Sequence, residues 1–231
     1  MSTDDAAAAE VPTVTGTRRE LAVARALDQA RSRAENRVQL FLDAAVELMN
    51  GNSGEFTVQE VAERSGQSLR TFYQYFAGKH ELLLALFEDS ITSATAHLQA
   101  VIAHGEGPLD RLHRFAVEYY RMCRLKLKDQ PASGPAPMVE FGQQLLTSHP
   151  AEAARAFAPL VVLLEDLLAA AEAAGEIRSG LDYRRISGVI LQATMFNAFA
   201  TSISGSSYEP DGDTEPETLW DLLLRGIGTR P

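Results

Sequence analysis

The sequence is poor in cysteine and has no long apolar run. Cys123 is the single cysteine in 231 residues, so no intrachain disulfide can form and a disulfide-stapled secreted domain is excluded. No apolar stretch approaches the roughly 20 residues that a membrane-spanning helix needs. The first residues also lack the basic start and apolar core of a secretory signal. We therefore expect a cytoplasmic protein that does not enter a membrane.

Motifs of common catalytic and metal sites are also lacking. The sequence has no G-x-S-x-G, no Walker loop and no G-x-G-x-x-G. His97 and His104 are seven residues apart, but neither has a cysteine or carboxylate three or four residues after it. These absences predict no enzyme activity, no cofactor and no metal. Cys123 is interpreted as a buried thiol on an apolar helix, with redox sensing as the alternative.

Basic charge is scarce and unevenly placed. With 21 Lys and Arg against 31 Asp and Glu, the net charge is −10, which excludes a polybasic protein. Residues 1–16 carry −3, residues 17–80 carry +1 and residues 81–231 carry −8. Six arginines give residues 17–37 a local charge of +3. The acidity thus lies mainly outside residues 17–80.

Helical patterns fill the chain, and no strand pattern or internal repeat is evident. We predict an all-α fold of about nine helices, three short and then six longer. Residues 17–36 can be helical, at least when bound to a partner. Ser32 and Glu35 have the spacing of a capping box and predict the first firm helix. Ala151–Ala174 is predicted as one helix. Three segments follow: 1–31, a flexible extension with a basic arm; 32–78, a three-helix domain; and 79–231, a larger helical domain.

Residues 57–76 have the pattern of a helix-turn-helix. Thr57 begins a short helix, Gly66 permits a tight turn, and Ser68 begins a second short helix. Val61, Ala62, Phe72 and Phe76 are expected to be buried. The second helix would then expose hydrogen-bonding side chains suited to a DNA groove: Arg70, Thr71, Tyr73 and Gln74.

The same stretch resembles the DNA-binding domain of the TetR family of bacterial transcriptional regulators. The most specific part is Thr71-Phe-Tyr-Gln-Tyr-Phe76, followed by Lys79 and then Glu81-Leu-Leu83. The resemblance covers about residues 37–85. It implies DNA contacts from Thr57, Gln59, Ser68, Leu69, Arg70, Thr71, Tyr73, Gln74 and Lys79. Two departures are Gln67, where an apolar residue is usual, and Leu69-Arg70, where Lys-Gly is common.

The resemblance also implies a C-terminal domain that binds a small lipophilic effector. Aromatic and apolar residues are expected to line its pocket, although each is also a normal core residue. The candidates are Phe115, Tyr119, Met122, Cys123, Phe141, Leu145, Leu164, Met195 and Phe199.

The family resemblance further implies a homodimer that uses the last two helices. Ser187, Gly188 and Ala193 would allow close helix approach, and Trp220 and Leu223 would be apolar anchors, unless they are buried within one subunit. We expect a repressor that leaves a near-palindromic operator when the effector binds. The basic arm either contacts DNA or is a solvated extension. The alternative function is a helical ligand-binding protein that no longer binds DNA.

Overall fold

The computed structural model describes residues 17–51, 56–124, 136–204 and 214–228. Within these ranges the only element besides helix is an isolated antiparallel bridge between Ile177 and Gly228. The predicted all-α fold is confirmed. The helices are α1 (Arg18–Gly51), α2 (Val58–Arg64), α3 (Leu69–Tyr75), α4 (Lys79–Ile102), α5 (Pro108–Cys123), α6 (Ala136–Ser148), α7 (Pro150–Ala156), α8 (Ala158–Ala173), α9 (Tyr183–Ser204) and α10 (Thr214–Ile227).

Helix α1 begins at Arg18, so the predicted start at Ser32 is wrong. The backbone N–H of Thr17 donates to Glu20 Oε2 at 2.7 Å, and the Glu20 N–H donates to Thr17 Oγ1 at 3.3 Å. This reciprocal pair satisfies free amides at the helix start, as a capping box does. The similar spacing at Ser32 lies inside the helix, because an earlier box has already begun it.

By its contacts the chain divides into two compact units, Met1–Leu40 and Phe41–Pro231. The described part of the first unit, residues 17–40, is helical and mostly exposed. Its Arg31–Glu35 ion pair, 2.7 Å from Nε to Oε1, has the i,i+4 spacing of exposed helix pairs. The first sixteen residues of the predicted extension lie outside the described residues.

Helices α4–α10, which we call the C-terminal domain, share one apolar core. Helix α5 packs against α4, α8, α9 and α10. Its Leu112, Phe115 and Tyr120 are almost completely buried. Each buried side chain of this size contributes about 1.5–3 kcal/mol relative to an exposed one. The core therefore holds α5 firmly among its neighbours.

The predicted helix Ala151–Ala174 is two helices, α7 and α8. Pro159 lies in the first turn of α8, where its missing N–H breaks no intrahelical hydrogen bond. In the interior of a longer helix its ring would clash with the carbonyl four residues earlier. The described residues consequently form ten helices, one more than the nine predicted from the sequence. Every helix described is too short or too polar to cross a membrane.

Candidate DNA-binding site

Buried aromatic rings hold α1, α2 and α3 together. Phe41 of α1 meets Phe72 of α3 edge-on at 5.3 Å between ring centroids, and Phe76 at 6.1 Å. Val61 and Ala62 of α2 are buried beside them, as predicted. Such aromatic pairs add about 0.5–1.5 kcal/mol beyond the area they bury. The packing leaves the opposite side of α3 free to face solvent.

The turn between α2 and α3 is a glycine C-cap. The Gly66 N–H donates to the Glu63 carbonyl and the Gln67 N–H donates to the Ala62 carbonyl, at 3.1 and 2.9 Å. This is the hydrogen-bond pattern of a Schellman motif. Gly66 has a φ of +67°, in the left-handed region that side chains disfavour. The glycine therefore fixes the direction in which α3 leaves α2.

Thr57 is tied to the start of α2 by a complete capping box. Its N–H donates to Glu60 Oε2 at 2.7 Å, its hydroxyl donates to the same oxygen at 2.8 Å, and the Glu60 N–H donates to Thr57 Oγ1. The hydrogen bonds from the Thr57 backbone and hydroxyl lower the pKa of Glu60. A phosphate contact by the Thr57 hydroxyl would have to replace its bond to Glu60.

Ser68 caps α3 in a similar way. Its Oγ accepts from the Thr71 N–H at 3.0 Å and lies 2.8 Å from Thr71 Oγ1. On α2, Gln59 Nε2 donates to Glu63 Oε1 at 3.0 Å, which leaves the amide a second N–H. Ser68 and Gln59 are exposed, whereas Thr71 is half-buried. These three side chains have local partners and also lie at the surface.

The exposed part of α3 carries the predicted base-reading groups. Arg70 and Gln74 are exposed, and Tyr73 is 59% exposed while its ring stands edge-on to Phe72 at 5.5 Å. No carboxylate of the described residues pairs with Arg70. Leu69 is 39% exposed, so much of it remains available to an apolar base edge. A guanidinium, an amide and a phenol side by side suit a groove lined with hydrogen-bonding edges.

Lys79 makes a contact that the sequence does not reveal. Its Nζ donates to the Phe56 carbonyl at 2.6 Å and lies 4.3 Å from the centre of the Phe56 ring. Its charge also lowers the pKa of Glu60, after the larger effect of Thr57. Lys79 thus links the start of α4 to the residue before Thr57, and it retains N–H groups for an anion.

The residues predicted to line an effector pocket are mostly core. Phe115, Tyr119, Cys123, Phe141, Leu145, Leu164 and Met195 are all buried in one cluster, and Met122 packs against it half-buried. The side chain of Phe199 lies outside the described residues. The structure therefore brings eight of the nine into one core. An open groove of about 470 Å³ lies elsewhere, lined by Thr95, Gln99, Arg155, Ala158, Pro159, Val162, Leu163 and Asp166.

Polar atoms without partners occur inside the C-terminal domain. Among the described residues, Gln143 Nε2, Glu165 Oε1 and Ser187 Oγ are buried and have no hydrogen-bond partner. Buried polar atoms are normally paired, so such atoms need an explanation. Four residues after Ser187, the Leu191 carbonyl accepts a hydrogen bond from the Tyr119 hydroxyl at 3.5 Å. The spacing of apolar residues gave no signal for these polar groups.

The predicted dimer anchors point partly inward. Ser187 is fully buried, Trp220 lies against His113 at 5.1 Å between rings, and Leu223 packs on the core of its own chain. Trp220 and Leu223 are thus half-buried in their own chain, because α10 turns them towards α5, and their use as dimer anchors stays a prediction. Among the described side chains of α9 and α10, the large apolar ones that are exposed are Val189, Phe196 and Leu222.

Residues 41–86 in sequence, and the chain in fold, are similar to known bacterial regulators. Residues 41–86 match the family model described as bacterial regulatory proteins, tetR family. The fold is similar to FadR of Bacillus subtilis in complex with stearoyl-CoA, with a TM-score of 0.62 and 19% identity over 82% of this chain and 98% of that one. FadR of Thermus thermophilus, a repressor in complex with lauroyl-CoA, has a TM-score of 0.62 and 22% identity over 84% and 96%.

A regulator from Marinobacter aquaeolei VT8 is also similar in fold, with a TM-score of 0.60 and 18% identity over 87% of this chain and 100% of that one. No curated protein sequence matches the chain. The helix-turn-helix, its exposed recognition helix and the helical C-terminal domain define a DNA-binding transcriptional regulator. Residues 41–86 are thus a domain of the tetR family of bacterial regulatory proteins, and the fold is similar to that of solved regulators.

Proposed function

We propose that this regulator is a dimeric repressor that binds a near-palindromic operator and leaves it when a small lipophilic effector binds. The observation that carries the proposal is the exposed group of Arg70, Tyr73 and Gln74 on a helix-turn-helix. Buried aromatic rings pack this helix-turn-helix against α1. A rigid helix that presents unpaired donors is suited to reading base edges in the major groove.

Each polar residue of the site has a distinct proposed contact. Arg70 forks onto a guanine, a contact worth about 1–3 kcal/mol of discrimination. Tyr73 and Lys79 donate to backbone phosphates, and Thr57 and Gln59 contact the backbone from α2. Because residues 17–80 carry a net charge of only +1, affinity depends on these placed groups more than on bulk charge.

A dimer through α9 and α10 would place two recognition helices about 34–36 Å apart, one turn of DNA. An exposed apolar stripe on α9 supports this arrangement. Val189, Ala193, Phe196 and Ala200 are all exposed and recur at spacings of four, three and four. Val189 is 57% exposed and Phe196 is 65% exposed. Such a stripe is typical of a helix that packs against a partner helix.

The effector is proposed to enter the C-terminal domain among the buried apolar residues. A long-chain acyl group suits this lining, and acyl-CoA thioesters are the class to test first, since two proteins of similar fold hold stearoyl-CoA and lauroyl-CoA. The unpartnered Gln143, Glu165 and Ser187 atoms would give the polar end of a ligand hydrogen-bonding partners.

Helix α4 is the proposed lever between effector and operator. It starts at Lys79, next to the helix-turn-helix, and packs against α5, α6 and α8 of the C-terminal domain. A ligand that moves these helices would therefore change the spacing of the recognition helices. Coupling of about 1–3 kcal/mol would change operator affinity about 5–150-fold.

The basic arm is proposed as an additional backbone contact. Its arginines lie in helix α1 and are exposed, and the local charge over residues 17–37 is +3. Deleting residues 1–30 should weaken binding and reduce its dependence on salt, because fewer counterions are released. If affinity and salt slope are both unchanged, the arm makes no contact with DNA.

The deciding experiment is capture of genomic DNA by the full chain, followed by fluorescence anisotropy with the enriched fragment. We expect Arg70→Ala to weaken specific binding at least about ten-fold. Arg178→Ala, which removes an exposed arginine from the C-terminal domain, should leave it unchanged. No enriched fragment, or equal loss in both variants, would instead favour a ligand-binding protein that no longer binds DNA.

A further inference from the structure

Two histidines and a glutamate meet beside the first turn of α4. His80 Nε2 lies 2.7 Å from Glu152 Oε2, and His149 Nδ1 lies 3.9 Å from the same oxygen. The two imidazole rings are 4.6 Å apart between centroids. One ligand atom from each of the three residues lies within 4.8 Å of the other two. In the described part of the chain, no other three histidine, cysteine or acidic side chains come together in this way.

Two separate segments supply these side chains. His80 is the second residue of α4, His149 is the N-cap of α7, and Glu152 lies in the first turn of α7. The N–H of Glu152 donates to the His149 carbonyl at 3.0 Å, which fixes the backbone between these two ligands. His149 and Glu152 are thus held by one helix start, and His80 approaches from another helix.

The donor set suits a divalent transition metal. Zn²⁺ takes imidazole nitrogen and carboxylate oxygen at about 2.0–2.2 Å, which places tetrahedral ligand atoms about 3.3 Å apart. The three ligand atoms lie within 4.8 Å of one another, which is within about 1.5 Å of that value. His80 and His149 are 45% and 47% exposed and Glu152 is 29% exposed, so these side chains have room to turn. Water would complete the fourth position.

Two other histidine–glutamate pairs of the C-terminal domain have no third ligand among the described residues. His97 Nε2 lies 2.8 Å from Glu118 Oε1, and His113 Nε2 lies 2.8 Å from Glu217 Oε2. A histidine with one carboxylate is a common surface hydrogen bond. The second imidazole at His149 is what distinguishes the cluster at His80, because three protein ligands are the number that open zinc sites use.

We propose that His80, His149 and Glu152 bind one Zn²⁺ ion per chain. The ion takes the place of the hydrogen between His80 Nε2 and Glu152, and the neutral His80 ring then carries its single proton on Nδ1. Because His80 directly follows Lys79, the ion joins the start of α4 to α7 and stabilises the arrangement described here. This site is independent of the proposed operator and effector, so its test does not depend on them.

The test uses the full chain without an affinity tag and ZnCl2 as the probe. Titration against a chromophoric zinc chelator should show one ion per chain, and Co²⁺ in its place should give the visible absorption of a tetrahedral site. His80→Ala, His149→Ala and Glu152→Gln should each weaken binding at least about ten-fold. His97→Ala, which removes a histidine of similar exposure with one glutamate partner, should bind like the wild type.

Thermal unfolding supplies a second measurement on the same proteins. Zn²⁺ should raise the melting temperature of the wild type and of His97→Ala, but not that of His149→Ala. His149 is exposed, so this variant is expected to fold, and circular dichroism without metal checks that it does. Absence of a one-to-one site, wild-type binding by His149→Ala, or equal loss in His97→Ala would overturn the proposal.

Discussion

At the residue scale, Tyr73 and Lys79 are attached to the fold in different ways. The Tyr73 hydroxyl lies at the end of an exposed ring, whereas Lys79 holds the Phe56 carbonyl and covers the Phe56 ring. Removing the Tyr73 hydroxyl therefore tests DNA contact with little effect on stability. Removing Lys79 tests DNA contact and stability together, since its hydrogen bond to the Phe56 carbonyl and its cation–π contact with the Phe56 ring are both lost.

We expect Tyr73→Phe to weaken operator binding by about 1.5 kcal/mol, or roughly ten-fold, because a hydrogen bond to a charged phosphate is lost. Its free energy of unfolding should stay within about 0.5 kcal/mol of the wild type. Lys79→Ala should lower both the operator affinity and the free energy of unfolding. Fluorescence anisotropy and urea unfolding measure them. Wild-type affinity in Tyr73→Phe would show that the hydroxyl makes no phosphate contact.

Cys123 is expected to be chemically inert in the folded protein. Burial raises the pKa of its thiol to about 12, so at pH 8 only about one thiol in ten thousand is the reactive thiolate. Alkylation by iodoacetamide, followed by mass spectrometry, should be very slow in the native state and rapid in urea. Equal rates in both conditions would restore the redox-sensing alternative.

At the element scale, the recognition motif was predictable because its determinants are close in sequence. Thr57 begins α2 as predicted, through a capping box with Glu60, and Gly66 forms the predicted turn. The start of α1 was not identified, because the boxes at Thr17 and Ser32 are equivalent in sequence and only the packed chain distinguishes them. The Lys79–Phe56 contact joins residues 23 positions apart, a distance over which local patterns carry no information.

A side chain at Gly66 should strain the turn before α3. Gly66→Ala is expected to destabilise the protein by about 1–2 kcal/mol, because a Cβ is unfavourable at a φ of +67°. Gly78→Ala is the matched control, since Gly78 has an extended φ and nothing within 4 Å of an added Cβ. Urea unfolding compares them. Similar losses in both would show that strain at the turn is not the cause.

The capping box of α2 should add a pH-dependent part to stability. The Thr57 hydrogen bonds lower the pKa of Glu60 from its ordinary 4.5, so this stabilisation is present above about pH 4.5 and is lost as pH falls through the lowered pKa. The wild type should therefore exceed Glu60→Gln in melting temperature at pH 7 by more than at pH 3.5. In a Thr57→Ala background, the pH dependence of this melting-temperature difference should be smaller. A pH-independent difference would contradict the assignment.

At the scale of the whole molecule, composition and periodicity were sufficient to predict the all-α class. They did not locate groups that long-range packing assembles. His80 and Glu152 are 72 residues apart and approach only because α4 packs on α7. Likewise, Trp220 and Leu222 are two residues apart in one apolar helix, and only the position of α5 decides which of them is covered.

The last prediction concerns the proposed dimer interface on α9. Phe196 is 65% exposed in the middle of the α9 stripe, so Phe196→Glu should place a charge inside the proposed interface and yield a monomer. Operator affinity should fall about 100-fold or more, because the second half-site no longer binds intramolecularly. Light scattering and anisotropy measure the two effects. Val162→Glu, at a 54% exposed valine of α8 off the stripe, should remain dimeric and bind normally. A Phe196→Glu variant that stays dimeric with full affinity would place the interface elsewhere.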